Sequence, residues 1–223
     1  MQPDKPDPRR EAAPAPTAAP GPRAKTWFCN GLIGICVVVY LYEAFSPAGD
    51  ERSWLSNLLV LYGPAVRDGE WWRVLSTTIQ HGGPLHLFFN MSVVWTMGRA
   101  YEAGIGTWRF AQISLVTALG SSLAVLLWAF DLPTVGASGM IIGWIGAILP
   151  IATSTHRRGL QIWLVQIVVI SLLPGVSWQG HLGGFVAGLA CGLALRAGPT
   201  VFRYAAPLLA FAAAALTVVA AHR

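Results

Sequence analysis

Seven long apolar runs dominate this sequence, at about 27–45, 85–103, 108–130, 136–155, 160–174, 178–197 and 204–222. A helix that crosses a bilayer needs roughly 20 mainly apolar residues. The hydrocarbon core offers no water to an unpaired backbone group, so helices are the natural solution for such runs. They predict an all-α chain: a polytopic membrane helix bundle with six core transmembrane helices and a C-terminal seventh. The run at 160–174 is the shortest, and is expected to tilt little or to extend into its flanking loops. Charge content agrees, at 11% of residues against about 25% in a soluble domain.

The net charge of +5 reports topology rather than a nucleic-acid partner. With the N-terminus on the cytoplasmic side, eleven of the fifteen basic residues fall inside and four (Arg52, Arg67, Arg73 and Arg223) fall outside. That split follows the positive-inside rule. Residues 1–26 hold seven of the fifteen prolines and are expected to be a disordered Pro/Ala-rich cytoplasmic tail. The rest, 27–223, reads as one membrane domain, with a core at 27–197 and an extra helix at 204–222. The run at 27–45 is too long for a signal-peptide core and lacks a clear cleavage site after it. Cys29, Cys36 and Cys191 all lie within apolar runs, and their spacing fits neither a disulfide framework nor a metal site.

The longest loop, 46–84, carries Trp54, Leu55, Leu58, Leu59 and Val60 before GPAVRDGEWWRVL. It is expected to fold at the outer interface, with Trp71 and Trp72 at headgroup depth. The remaining loops are short, so neighbouring helices run antiparallel. The second, fourth and sixth runs then share one direction.

Polar side chains inside membrane helices are costly and tend to be functional. His86 and Asn90 in the second run, Ser138 in the fourth and His181 in the sixth all lie near the start of their runs. In helices of one direction they share one depth, near the outer side. His86 and Asn90, four apart, share a helix face. Ser138 sits at a helix start, where free backbone N–H groups and the helix dipole suit a developing oxyanion. His81 is assigned to structuring the outer loop.

Small residues supply a reason for the polar groups to meet. Gly136, Gly139, Gly143 and Gly146 follow a 3-4-3 spacing, and His181, Gly184, Gly188 and Gly192 a 3-4-4 spacing. Such stripes let membrane helices approach closely, so the fourth and sixth helices are expected to form a tight pair. On a regular helix Ser138 points about 120° away from its glycine stripe. It reaches His181 only by flanking the contact or through an irregular first turn.

At this point the sequence resembles the rhomboid family, from about Gly63 to Arg196. GEWWR at 69–73 resembles its outer-loop motif, and HGGPLHLFFN at 81–90 its second-helix motif. MGRAYEAGIGTWRF at 97–110 resembles its inner turn, GASG at 136–139 its nucleophile motif, and HLGGFVAG at 181–188 its sixth-helix motif. The resemblance implies an intramembrane serine endopeptidase that cuts single-span membrane proteins near the outer end of the span, often beside small residues. It implies a dyad of Ser138 as nucleophile and His181 as base, with no acidic third member and no cofactor or metal. His86, Asn90 and the Ser138 backbone N–H are placed around the oxyanion. Gly136, Phe89 and Trp178 fall to substrate binding and the gate, together with the fifth helix and the loop at 174–180. Gly139, Gly184, Gly188 and Arg73 take structural roles. One position departs from the pattern: Ile142 stands where the family commonly has an aromatic residue beneath the histidine ring.

An unperturbed imidazole titrates at about 6.5, so a base that is neutral at pH 7 needs no carboxylate. The alternatives are a non-catalytic rhomboid-like binder of transmembrane helices and a small transporter or channel. Such binders usually lack the serine or the histidine, whereas a transporter predicts charged residues within helices or an inverted repeat. A bacterial cell membrane suits the compact size and short loops.

Overall fold

The computed structural model describes residues 25–46 and 50–223. The tail predicted at 1–26 lies outside them, apart from Lys25 and Thr26. The chain is an all-helical membrane bundle. Its elements are α1 (Trp27–Phe45), α2 (Asp50–Leu59), α3 (Gly63–Arg67), α4 (Arg73–Ser76), α5 (Pro84–Val93), α6 (Arg99–Ile105), α7 (Thr107–Trp128), α8 (Ser138–Ile148), α9 (Ser154–Ser171), α10 (Trp178–Ala197) and α11 (Pro199–Ala221). A π-helical turn, Val94–Gly98, joins α5 to α6, so the second apolar run is continuous.

Helices α1, α7, α10 and α11 are each long and apolar enough to cross a membrane. The ends of α1 and α10 coincide with their apolar runs. Three others differ for identifiable reasons. Helix α8 has 11 residues, a rise of about 16 Å and so about half the bilayer core. It can be short because protein encloses it: Gly139 through Ile148 are all buried. Helix α9 begins six residues before its apolar run, on the polar segment Ser154–Gly159. The Thr153 hydroxyl caps it, accepting from the His156 N–H at 3.4 Å. Helix α11 begins five residues early because Gly198, at φ 125°, turns the chain, and Pro199 then opens a new first turn.

The bundle centres on Trp144, which is fully buried and donates its indole N–H to Ser114 Oγ at 2.9 Å. Its ring lies against Phe110, with centroids 4.7 Å apart. At one end, the buried Glu102 carboxylate accepts from the backbone N–H groups of Phe28 and Cys29, both at 2.9 Å, and from Thr107 Oγ1 at 2.7 Å. It thus caps α1 and ties it to the turn before α7. Arg99 reaches Thr26 Oγ1 at 3.3 Å at this end, and Arg109 and Arg203 line one cleft.

At the other end the described part of the outer segment, 50–84, folds onto the bundle. Arg73 is buried, pairs with Glu70 and donates to the carbonyls of Asn57 and Val60. Thr77 Oγ1 donates to Thr134 O at 2.7 Å, and Arg67 Nε to Ala221 O at 2.8 Å, close to the C-terminus. Trp72 is half-exposed and donates to Leu58 O at 2.9 Å. Trp71 stacks on His222, with centroids 5.7 Å apart. Among the described residues, Arg99, Arg109 and Arg203 thus lie at one end and Arg67 and Arg73 at the other.

Candidate functional site

Helices α8 and α10 run parallel and meet backbone to backbone. A Cβ on Gly184 would overlap the carbonyl of Gly139, one on Gly188 that of Gly143, and one on Gly192 that of Ala147. The close approach predicted from the glycine stripes is present, with one change. Gly136 is not part of the helical stripe. It precedes α8 with φ 117°, and a Cβ there would lie 2.6 Å from the His86 ring. A second small-residue contact was not anticipated: Gly183 and Ala187 of α10 pack on Gly120 and Ala124 of α7. It falls on a face of α10 that the stripe of His181, Gly184 and Gly188 does not use.

The seam sets the polar groups. Ser138 is the first residue of α8, one position before the glycine that enters the seam, so its side chain flanks the contact. His181 lies one turn into α10, whose start is fixed by the Ser177 hydroxyl accepting from the Gly180 N–H at 3.2 Å. His181 Nε2 stands 2.9 Å from Ser138 Oγ. Across a cavity of about 590 Å³ stands His86, with Pro133–Gly136, Gly82–Leu85 and Gly175–Ser177 completing the rim. The first N–H groups of α8 have no partner within the helix, as at any helix start. An imidazole within hydrogen-bond distance of a serine hydroxyl, at a helix start and beside a cavity, can support nucleophilic attack by that hydroxyl.

The other candidates are distributed unevenly. Asn90 is buried one turn below His86, with its amide donating to the His86 carbonyl at 2.9 Å; it does not line the cavity. Phe89 is 63% exposed on the outer face of α5, its ring edge-on to Phe88. Trp178, the first residue of α10, stacks on Trp128 with centroids 6.3 Å apart. It also borders a smaller apolar cavity of about 360 Å³, where Ile142 lies near His181. Arg73 holds the outer segment and does not line the cavity shared by Ser138 and His181. His81 is buried edge-on to His86, with centroids 5.1 Å apart. Burial pushes its imidazole down to about 4, with His86 adding to the effect.

One residue at the site escaped the sequence reading. Ser171, the last residue of α9, is buried, and its Oγ lies 2.6 Å from His181 Nδ1. The available signal was a polar residue near the outer end of the fifth apolar run, at the depth of the other polar groups. A lone serine in a membrane helix is more often bonded to its own backbone, and Ser171 also makes that bond.

The Rhomboid domain model matches residues 68–198. The rhomboid protease GluP of Bacillus subtilis is 33% identical over 138 residues, 58% of this chain and 27% of that protein. RHOMBOID-like protein 5 of Arabidopsis thaliana is 33% identical over 156 residues, 65% of this chain and 50% of that protein. The rhomboid protease AarA of Providencia stuartii is 26% identical over 222 residues, 83% of this chain and 78% of that protein. The matched segments thus span about a quarter to a half of the first two relatives.

Proposed function

The chain belongs to the rhomboid family, and from that premise we propose that it is an intramembrane serine endopeptidase working through a Ser138–His181 dyad. The observation that carries the reading is the 2.9 Å approach of His181 Nε2 to Ser138 Oγ at the edge of a cavity. In this reading neutral His181 takes the Ser138 proton as Oγ attacks a peptide carbonyl. The tetrahedral oxyanion is held by His86, by Asn90 and by the Ser138 backbone N–H. His181 then protonates the leaving amine, and water releases the acyl-enzyme. Gly136 gives the oxyanion side its shape: its left-handed φ and missing Cβ leave room for the His86 ring.

The substrates in this reading are single-span membrane proteins, cut near the outer end of the span. Gly82, Gly83 and the segment Gly175–Ser177 leave the cavity rim thinly covered, which supports access by an extended peptide and by water. Phe89 and Trp178 are assigned to the gate, and Gly139, Gly184, Gly188 and Arg73 to support. The core at 27–197 carries the site, with 204–222 as an added helix behind a Pro/Ala-rich cytoplasmic tail. The segregation of basic residues supports a cytoplasmic N-terminus, and the compact size and short loops suit a bacterial cell membrane.

The test is reaction with a serine-directed fluorophosphonate, together with cleavage of a model single-span substrate in liposomes. The wild-type chain is expected to do both, and Ser138→Ala neither, with its thermal unfolding unchanged. A folded wild-type chain that is neither labelled nor active would leave the non-catalytic binder of membrane helices as the reading.

A further inference from the structure

The surroundings of His181 contain a hydrogen-bond chain that determines where its proton sits. Ser171 Oγ lies 2.7 Å from the Ile167 carbonyl and 2.6 Å from His181 Nδ1. A serine hydroxyl has one proton to give. The carbonyl can only accept, so that proton goes to Ile167 O. The contact with His181 is then a bond that the ring must donate, from Nδ1–H. In a neutral imidazole, a proton on Nδ1 leaves Nε2 with a free lone pair. Nε2 is the nitrogen that faces Ser138 Oγ at 2.9 Å.

We propose that Ser171 is a positioning residue for the Ser138–His181 pair, fixing His181 as the Nδ1–H tautomer so that Nε2 can accept the Ser138 proton. The inference deepens the protease reading and rests on it for its catalytic meaning. It also bears on position 142, where the chain has Ile142 beside the histidine and no ring beneath it. The orienting group here comes from the side instead, as a hydroxyl on α9.

Ser171 ends the one stripe of α9 that is turned toward the bundle. Only Leu160 and Ser171 of this helix are buried, and Leu164 and Ile167 are half-buried. These four follow a 4-3-4 spacing, one narrow stripe along a helix otherwise exposed. Ser171 is the last member of that stripe, and the chain beyond it, Leu172–Gly175, is exposed. The bond that sets the tautomer is therefore held by the seating of α9 and lies outside the glycine seam.

The proposal is tested with the full chain in detergent micelles, labelled with ¹⁵N at histidine. Two-bond ¹⁵N–¹H correlation spectra show which ring nitrogen is protonated, and the His181 signals are those missing from His181→Ala. The wild type is expected to show neutral His181 as Nδ1–H. Ser171→Thr keeps a hydroxyl able to bond the carbonyl one turn back and is expected to match it. Ser171→Ala is expected to show a mixture with the Nε2–H form. In cleavage assays Ser171→Ala is expected to lower kcat about 10- to 100-fold, the size of one lost hydrogen bond to a charged group, with KM unchanged and Ser171→Thr restoring kcat. An Nε2–H wild type, or a Ser171→Ala spectrum identical to wild type, overturns the proposal. A wild type that shows Nδ1–H but neither cleaves nor reacts with the probe overturns the protease reading and leaves the tautomer assignment standing.

Discussion

The seam between α8 and α10 and the two helices that flank it, α5 and α9, are built on opposite terms. At the seam, backbone meets backbone, and no side chain larger than hydrogen fits at Gly184 or Gly188. The flanks touch the seam along narrow stripes and turn Leu85, Phe88 and Phe89 on α5, and Val165, Val168 and Val169 on α9, outward. Ser138 and His181 both belong to the seam. His86 and Asn90 on one flank, and Ser171 on the other, reach it from outside. In the proposed mechanism the two atoms that exchange a proton thus rest on a backbone-to-backbone contact, and the groups assigned to orient the ring or meet the oxyanion rest on more loosely held helices. Proton transfer needs a heavy-atom distance of about 2.6–3.2 Å, so the seam is where small displacements matter most.

The seam is expected to tolerate no added bulk. Gly184→Val is expected to abolish recovery of folded protein, because the new side chain meets the Gly139 carbonyl, which cannot rotate away. Gly184→Ala is expected to cost about 3 kcal/mol, the upper end for overpacking, read as a fall in thermal unfolding temperature in detergent. Gly34 on α1 has nothing within 4 Å of a Cβ. Gly34→Ala there is expected to be neutral or to stabilise by about 0.5–1 kcal/mol. Equal stability of Gly184→Ala and Gly34→Ala would remove the seam from the account.

On the α5 flank the expected loss is in turnover. If Asn90 donates to the oxyanion as proposed, Asn90→Ala is expected to lower kcat by about 10²–10³. The variant also frees the His86 carbonyl, at a cost of about 1 kcal/mol. Unfolding that shifts while kcat stays at the wild-type value would make Asn90 only a brace for His86. That outcome has a structural basis, since one amide hydrogen already goes to the His86 carbonyl.

Where seam and flank meet, Ile142→Phe is expected to have a smaller effect. It places a ring into the apolar cavity shared by Ile142, Ser171 and His181. In the wild-type background kcat is expected to stay within about tenfold, since Ser171 already orients the histidine. In the Ser171→Ala background the same ring is expected to recover part of the loss, and a double-mutant cycle measures that coupling. Additive effects would mean that the ring and the hydroxyl do not substitute for each other.

Much of this arrangement was legible in the sequence because it rests on period and depth. The apolar runs carried the bundle, with α1 and α10 matching to the residue. The glycine spacing carried the α8–α10 contact, and the shared depth of Ser138, His181 and His86 carried their meeting. The failures are equally physical. Hydropathy measures contact with lipid, and α8 is short because it touches almost none. The polar first turns of α9 carry no apolar signal, so the helix starts six residues before its apolar run, the extension into a flanking loop that so short a run leaves open. Ser171 was hidden because its role depends on which face of α9 turns inward. A helix with two buried residues in eighteen shows too little asymmetry to reveal that face. Gly136 fitted the stripe by spacing, yet its φ of 117° belongs to the turn before the helix, a distinction that spacing alone does not make.

The smallest expected effect is also the one that most sharpens the role of the flanks. Phe89 is exposed, lies edge-on to Phe88 and does not border the dyad cavity. A substitution so placed changes the chemistry of a small probe by no more than about 0.5 kcal/mol, roughly twofold. Phe89→Ala is therefore expected to leave fluorophosphonate labelling of Ser138 within about twofold of wild type. A membrane-spanning substrate, as proposed above, would differ if it enters past α5 or α9 from the lipid side to reach the cavity. If α5 forms that entrance, Phe89→Ala changes kcat/KM for the single-span substrate while labelling stays constant. If both stay constant and Val168→Ala on α9 moves the single-span rate, entry lies on the α9 side, next to the serine that orients the histidine. Substrate passage would then disturb the Ser171–His181 bond directly, and the dyad would be set only after α9 had closed behind the substrate.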